Sequence, residues 1–105
     1  MRISEFQKLI EETYFERDAR RGLGATFLWF AEEVGELAKA LRKNDDRQNL
    51  NEEFADVLAW LFTLASLSGV RMEAAIEKYA EGCPACRETP CNCPEDSLPS
   101  QGVGS

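Results

Sequence analysis

The first 82 residues contain neither proline nor cysteine, and all four of each fall in the 23 residues that follow. Proline removes a backbone donor and clashes with the preceding helical turn, so its absence leaves long helices open to the chain. Apolar spacing indicates that helices form. Ile3, Phe6, Ile10 and Tyr14 recur at helical intervals. Ser4-Glu5-Phe6-Gln7 has the capping-box pattern that starts a first helix at Ser4, and Arg20-Arg21-Gly22 suits its end. A second helix is predicted from about Ala25 to Lys43, with Phe27, Phe30, Ala31, Val34, Leu37, Ala38 and Leu41 as its inward stripe. The link Asn44-Asp45-Asp46-Arg47-Gln48 is short and polar, which makes the flanking helices antiparallel neighbours. Asn49-Leu50-Asn51-Glu52 is the expected cap of a third helix that continues to about Ser68, where Ser68-Gly69 breaks the pattern. A fourth helix follows from Val70 to Glu81, turning Met72, Ile76 and Tyr79 inward. No period-two alternation appears, so no sheet is expected. The predicted fold is all-α: an antiparallel four-helix bundle-like body over 1–82, a Cys-rich loop over 83–93 and a disordered tail over 94–105.

Charge and composition narrow the chemistry. Twelve basic residues against 19 acidic ones give a formal net charge of −7, which disfavours nucleic acid as a partner because binding it requires Lys and Arg to neutralise phosphates. No apolar run reaches the roughly 20 residues that span a bilayer, so no membrane partner is expected. The opening Met1-Arg2-Ile3-Ser4-Glu5 lacks an apolar signal region, which predicts a cytoplasmic, reducing location. Histidine is absent altogether. Imidazole bases, Ser-His-Asp and Cys-His nucleophiles, and nitrogen-ligated metals therefore fall away. Any catalysis rests on carboxylates, Lys, Tyr, Cys or a bound metal.

Two acidic stretches stand out, Glu32-Glu33-Val34-Gly35-Glu36 and Glu52-Glu53-Phe54-Ala55-Asp56. Residues three apart are neighbours on a helix, so Glu33-x-x-Glu36 and Glu53-x-x-Asp56 each set two carboxylates side by side. Antiparallel helices bring the two pairs together. A solvated acidic face is the ordinary account of such runs, and for the second helix alone it suffices. The third helix is apolar over most of its circumference. There Glu53 falls about 40° from Val57, between Leu50, Trp60 and Leu64. Unpaired carboxylates on an apolar face cost several kcal/mol, on the order of a buried charge, unless something compensates them. With no histidine and few inward basic residues, a divalent cation is the simplest compensation. Carboxylates without nitrogen or thiolate form a hard oxygen site, suited to Mg²⁺ or Mn²⁺.

Glu33-x-x-Glu36, sixteen intervening residues and Glu53-x-x-Asp56 resemble the signature of the MazG-like, all-alpha nucleoside triphosphate pyrophosphohydrolases. The flanking text resembles it too, in Thr26-Phe27-Leu28-Trp29-Phe30-Ala31 and in Val57-Leu58-Ala59-Trp60-Leu61, and the likeness spans about residues 1–82. The resemblance implies hydrolysis of a nucleoside triphosphate to the monophosphate and pyrophosphate, in the service of nucleotide-pool housekeeping. It implies Mg²⁺ held by Glu33, Glu36, Glu53 and Asp56, and an attacking water oriented or deprotonated by Glu32 or Glu33. It further implies a homodimer or homotetramer. Trp29 lies one turn before Glu33 and Trp60 one turn after Asp56, so either can stack on a base, although aromatics at helical spacing are more often core. Lys78 resembles a lysine placed near the phosphates in that family. Lys39, Arg42, Arg17, Arg20 and Arg21 are alternative phosphate partners.

Cys83-Pro84-Ala85-Cys86 and Cys91-Asn92-Cys93 give C-x₂-C-x₄-C-x-C, a set that can close a structural tetrahedral zinc site. Two disulfides or free thiols are the alternatives; a reducing compartment favours thiolates and metal. A non-catalytic helical module docking a partner through this loop is the rival to the enzyme. A hydrolase acting on another phosphorylated substrate is a further one.

Overall fold

Helices form where the apolar periodicity places them, with boundaries set by local caps. In the computed structural model, which describes residues 1–44 and 46–95, the elements are α1 (Ile3–Arg21), α2 (Leu23–Arg42), α3 (Arg47–Leu67), α4 (Met72–Ala75) and a 3₁₀ turn (Ile76–Tyr79). All regular structure among the described residues is helical. Asp45 of the predicted link, and all of the predicted tail beyond Glu95, lie outside the described residues.

Three caps differ from expectation. The α1 helix starts one residue early, so Glu5 rather than Gln7 reaches back, its Oε1 accepting from the Arg2 N–H at 2.6 Å. Asp46, not Asn49-Leu50-Asn51-Glu52, caps α3, with its Oδ1 accepting from the Asn49 N–H at 2.9 Å. The fourth helix is shorter than Val70–Glu81 at both ends. Gly69 takes φ 74° and the Val70 N–H returns to the Ala65 carbonyl at 2.8 Å, which closes α3 with a Schellman turn and removes Val70 from any following helix. At the other end the chain tightens into the 3₁₀ turn before Gly82, whose φ is 100°.

The chain forms two compact units, Met1–Met72 and a second from Glu73 onward. In the first, α2 and α3 pack along their length and α1 lies against both. Gln7, 1% exposed, spends its polar atoms in binding α1 to the far end of the chain segment. Its Nε2 donates to Ser66 Oγ (3.0 Å) and to the Val70 carbonyl (2.8 Å), and its Oε1 accepts from the Met72 N–H (2.8 Å). Ser66 in turn donates to Glu11 at 2.6 Å, and Arg71 pairs with the same oxygen at 2.7 Å. These bonds satisfy groups that would otherwise be costly to bury. Phe6 meets Phe62 edge-on, with ring centres 5.1 Å apart.

The inward stripe of α2 shares only Phe30 and Leu37 with the predicted one, and the predicted Ala31 and Ala38 are exposed. Thr26, Phe30, Glu33, Leu37 and Ala40, spaced by fours and threes, are buried or half-buried. Phe27, Val34 and Leu41 face outward, Phe27 being 54% exposed. An α2 helix that is apolar on two sides offers periodicity no means of telling which side the rest of the chain covers. On α3 the expected face, Leu50, Glu53, Val57, Trp60 and Leu64, is half-buried, while Phe54, Leu58 and Leu61 are exposed. Ile76 and Tyr79, predicted inward, are also exposed, and Met72 is half-buried.

Candidate active site

Glu33 shares the inward stripe of α2 with apolar residues, and Glu53 holds the equivalent place on α3. Packing these two stripes together therefore sets acid against acid. Glu33, Glu53 and Asp56 each offer a carboxylate oxygen within 4.8 Å of the others; Glu33 and Glu53 are half-buried and Asp56 is exposed. Burial pushes the Glu33 carboxyl above its ordinary pKa, and the charges of Asp56, Glu53, Glu36 and Glu32 add to the rise. Glu36 and Glu32 are exposed on α2 and stand outside the trio, adding their charge at longer range. Of the four predicted metal-binding acids, three are thus brought together.

Beside the acids lies a cavity of about 430 Å³ that Asp56 helps to line, together with Tyr14, Arg17, Arg21, Trp29 and Trp60. The two indoles lie nearly parallel, 12° apart in plane and 6.3 Å between centres. Trp29 is 48% exposed, so its ring is open to a ligand, and Trp60 is half-buried. The Arg21 guanidinium stands 5.0 Å from the centre of the Trp60 ring. It is fixed from two sides, by an ion pair with Asp18 and by Nε donating to Thr26 Oγ1 at 3.0 Å. Thr26 is itself fully buried and donates to the Gly22 carbonyl at 2.7 Å. Gly22, with φ 91°, joins α1 directly to α2 and so places Asp18, Arg21 and Thr26 in one corner. Sequence reasoning counted Arg21 among several basic residues and missed Asp18, whose signal is the acid three residues before an arginine at a helix end.

Lys39 and Arg42 are exposed in the last turn of α2. Lys78 belongs to the second unit, where its Nζ lies 5.4 Å from the centre of the Tyr79 ring. Cys83, Cys86, Cys91 and Cys93 gather in that same unit, their sulfurs within 4.8 Å of one another and none in a disulfide. Backbone N–H groups of Cys86 and Ala85 directed at its sulfur lower the Cys83 thiol to about 6, while hydrogen bonding with Cys91 and Cys83 raises the Cys93 thiol to about 12.

Among the described residues, no single helix is long and apolar enough to cross a membrane. The family model described as the MazG nucleotide pyrophosphohydrolase domain matches residues 22–86, well over half of the chain. No curated protein matches.

Proposed function

Because this chain belongs to the MazG nucleotide pyrophosphohydrolase family, we propose that it hydrolyses a nucleoside triphosphate to the monophosphate and pyrophosphate in a Mg²⁺-dependent reaction serving nucleotide-pool housekeeping. The observation that carries this reading is Asp56, which belongs both to the acidic trio and to the lining of the tryptophan-walled cavity. One residue thereby joins a place for cations to a place for a base.

The donor set fits the ion. Three carboxylates within 4.8 Å, on a face where burial and like charge already raise the Glu33 carboxyl, present hard oxygens that a divalent cation both matches and offsets. Glu33, Glu53 and Asp56 would hold it, with Glu36 alongside. When bound there, Mg²⁺ or Mn²⁺ offsets phosphate charge and acidifies a water. Such offset is needed by a protein of net charge −7 that receives a polyanion.

The chain's own groups supply the rest. Trp29 and Trp60 offer a π face to the base, and Arg21, immobilised by Asp18 and Thr26, offers a fixed positive charge at the cavity wall. Water attacks the α-phosphorus and loses a proton to Glu32, or to Glu33 if it is not occupied with the ion. A bond forms from water oxygen to the α-phosphorus, the α–β bridge breaks, and the bridging oxygen departs with its electron pair on pyrophosphate. Lys39 and Lys78 are the remaining candidates for phosphate contact.

The outward apolar residues support a homodimer or homotetramer. Phe27, Val34 and Leu41 repeat every seven residues along α2, and Phe54, Leu58 and Leu61 form a second outward row on α3. Contiguous apolar surface of this kind is normally covered by a partner. The four free thiols suit a reducing, cytoplasmic setting.

A panel of nucleoside triphosphates assayed for pyrophosphate release with Mg²⁺ tests the reading. Turnover of at least one nucleotide, reduced at least about a hundredfold by Glu53→Gln, is expected. Absence of turnover with every nucleotide, or full activity in Glu53→Gln, would refute it and leave the partner-docking module in its place.

A further inference from the structure

Among its described residues, the second unit has no hydrophobic core. No described residue beyond Met72 is buried, neither in α4, nor in the 3₁₀ turn, nor in the loop that follows. A segment so short and so open does not hold one conformation by apolar burial alone. What it does contain at its centre is sulfur. Cys83 and Cys93 are separated by 3.7 Å and Cys86 and Cys91 by 4.0 Å between sulfurs. Zinc–thiolate bonds of about 2.3 Å arranged tetrahedrally place sulfurs roughly 3.8 Å apart. Both measured separations are close to that edge.

The backbone is arranged around the same point. The Asn92 N–H donates to Cys86 Sγ at 3.3 Å and the Cys93 N–H to Cys91 Sγ at 3.4 Å. Amide donors of this kind stabilise the negative charge of thiolates. The loop is closed on both sides of Cys83, whose N–H reaches the Glu88 carbonyl at 3.1 Å and whose carbonyl accepts from the Arg87 N–H. Gly82 permits that closure. Its φ is 100°, and a Cβ added there would fall 2.5 Å from Thr89 Oγ1 and 2.8 Å from the Glu88 carbonyl oxygen. Arg87 takes a left-handed φ of 63° in the same turn.

We infer that Cys83, Cys86, Cys91 and Cys93 form a closed tetrathiolate centre for one Zn²⁺, and that this ion is the core around which the C-terminal unit folds. Sulfurs within 4.8 Å of one another enclose a single ion and leave no room for a polynuclear iron–sulfur cluster. Soft thiolates select zinc over the Mg²⁺ that suits the acidic trio, so the two metals do not compete for each other's ligands. The family match ends at Cys86 and takes in only half of the ligand set. The centre is therefore an addition to the enzyme body, and it stands or falls independently of the nucleotide chemistry. Because such a site is not preformed in an unfolded segment, metal binding and folding of the loop are one event.

Elemental analysis of the full chain, purified under reducing conditions without added zinc, comes first; close to one zinc per chain is expected. Trypsin cleavage after Arg87 then reports the loop. A zinc-selective chelator should accelerate it at least about tenfold, in keeping with loss of local structure, and added Zn²⁺ should restore protection. The variant Cys86→Ser with Cys91→Ser should be cleaved fast from the start and gain nothing from zinc. Far-UV circular dichroism in the same samples monitors α1–α3 and separates loop opening from global unfolding. Less than about a tenth of a zinc per chain, iron in its place, an intact mass four hydrogens lighter from two disulfides, or cleavage indifferent to the chelator would overturn the inference.

Discussion

Replacing Glu33 by Gln should stabilise the protein when Mg²⁺ is absent and abolish most of the stabilisation that Mg²⁺ confers. In the acidic trio, Glu33 has two partners within 4.8 Å, Glu53 and Asp56. Coulomb's law gives about 1 kcal/mol of repulsion per pair at the dielectric of water and roughly 3 kcal/mol at an effective value near 20. Asp56 is exposed, so the lower figure governs that pair, and a half-buried Glu53 raises the other only moderately. After screening, which acts weakly over distances shorter than the Debye length of about 10 Å, the neutral amide should gain about 1–2 kcal/mol. For a unit of this size that is a rise of roughly 4–16 °C in melting temperature. The assay is a thermal melt at pH 8, well above the carboxylate range, in buffer freed of Mg²⁺ by dialysis and again with Mg²⁺ added. At ten times its dissociation constant the ion contributes about 1.4 kcal/mol to the wild type and little to the variant, so the gap between them narrows or closes. A variant that melts at or below the wild type without Mg²⁺, and responds to the ion as the wild type does, would refute a cation site built from these acids.

Three further outcomes follow from other parts of the structure. Trp29→Ala removes an exposed ring from the cavity; with stacking worth about 1–3 kcal/mol, KM for the preferred nucleotide should rise about 5- to 160-fold while kcat changes less than about threefold. Glu11 is held below its ordinary pKa, first by the Ser66 hydroxyl and then by Arg71, so its contribution to stability is complete above pH 4.5 and is lost as pH falls through its lower folded value. Glu11→Gln should therefore cost about 1–2 kcal/mol in melts at neutral pH, and the difference from wild type should shrink as pH is lowered below 4.5. Gly82→Ala places a Cβ against Thr89 and Glu88 at a left-handed φ, and should cost the loop about 1–3 kcal/mol, read as faster zinc transfer to a competing chelator.

The acidic pairs were legible because their spacing is a property of the chain itself. Glu33 and Glu53 recur in step with the helical turn, and on α3 the apolar crowd around Glu53 shows which way it faces. The absence of histidine confines any metal at these acids to one that accepts oxygen ligands alone. What stayed hidden depended on surfaces that one helix does not reveal. Val34 appeared to be the centre of the inward stripe of α2 because Phe27 and Leu41 accompany it, yet that row faces out and the row through Glu33 faces α3. The Asp18–Arg21–Thr26 corner was equally hidden, because it requires the immediate reversal at Gly22 that brings the end of α1 onto the start of α2. The late start of the fourth helix reflects competition, since Gln7 and the α3 cap take the backbone groups of Val70 and Met72.

The same reversal of stripes leaves acids inside and apolar residues outside. Inward positions of α2 and α3 that would be leucine in a purely structural bundle are Glu33 and Glu53, and each forgoes about 1.5–3 kcal/mol of apolar burial. Gln7, Asp18, Thr26 and Thr63 fill further buried positions, leaving Ile10, Ala40 and Phe62 as the buried apolar residues described. A chain with so polar an interior would gain from covering its outward rows, and these rows are the ones richest in Phe and Leu. The double variant Glu33→Leu with Glu53→Leu separates the two roles. Filling the inward stripes should raise thermal stability by about 2–5 kcal/mol and remove any response to Mg²⁺, while the proposed oligomer should give the same mass by light scattering as the wild type because Phe27, Val34, Leu41, Phe54, Leu58 and Leu61 are untouched. Dissociation of the variant would mean that the acids help to build the interface, and a drop in stability would mean that their face is solvated rather than turned toward the core.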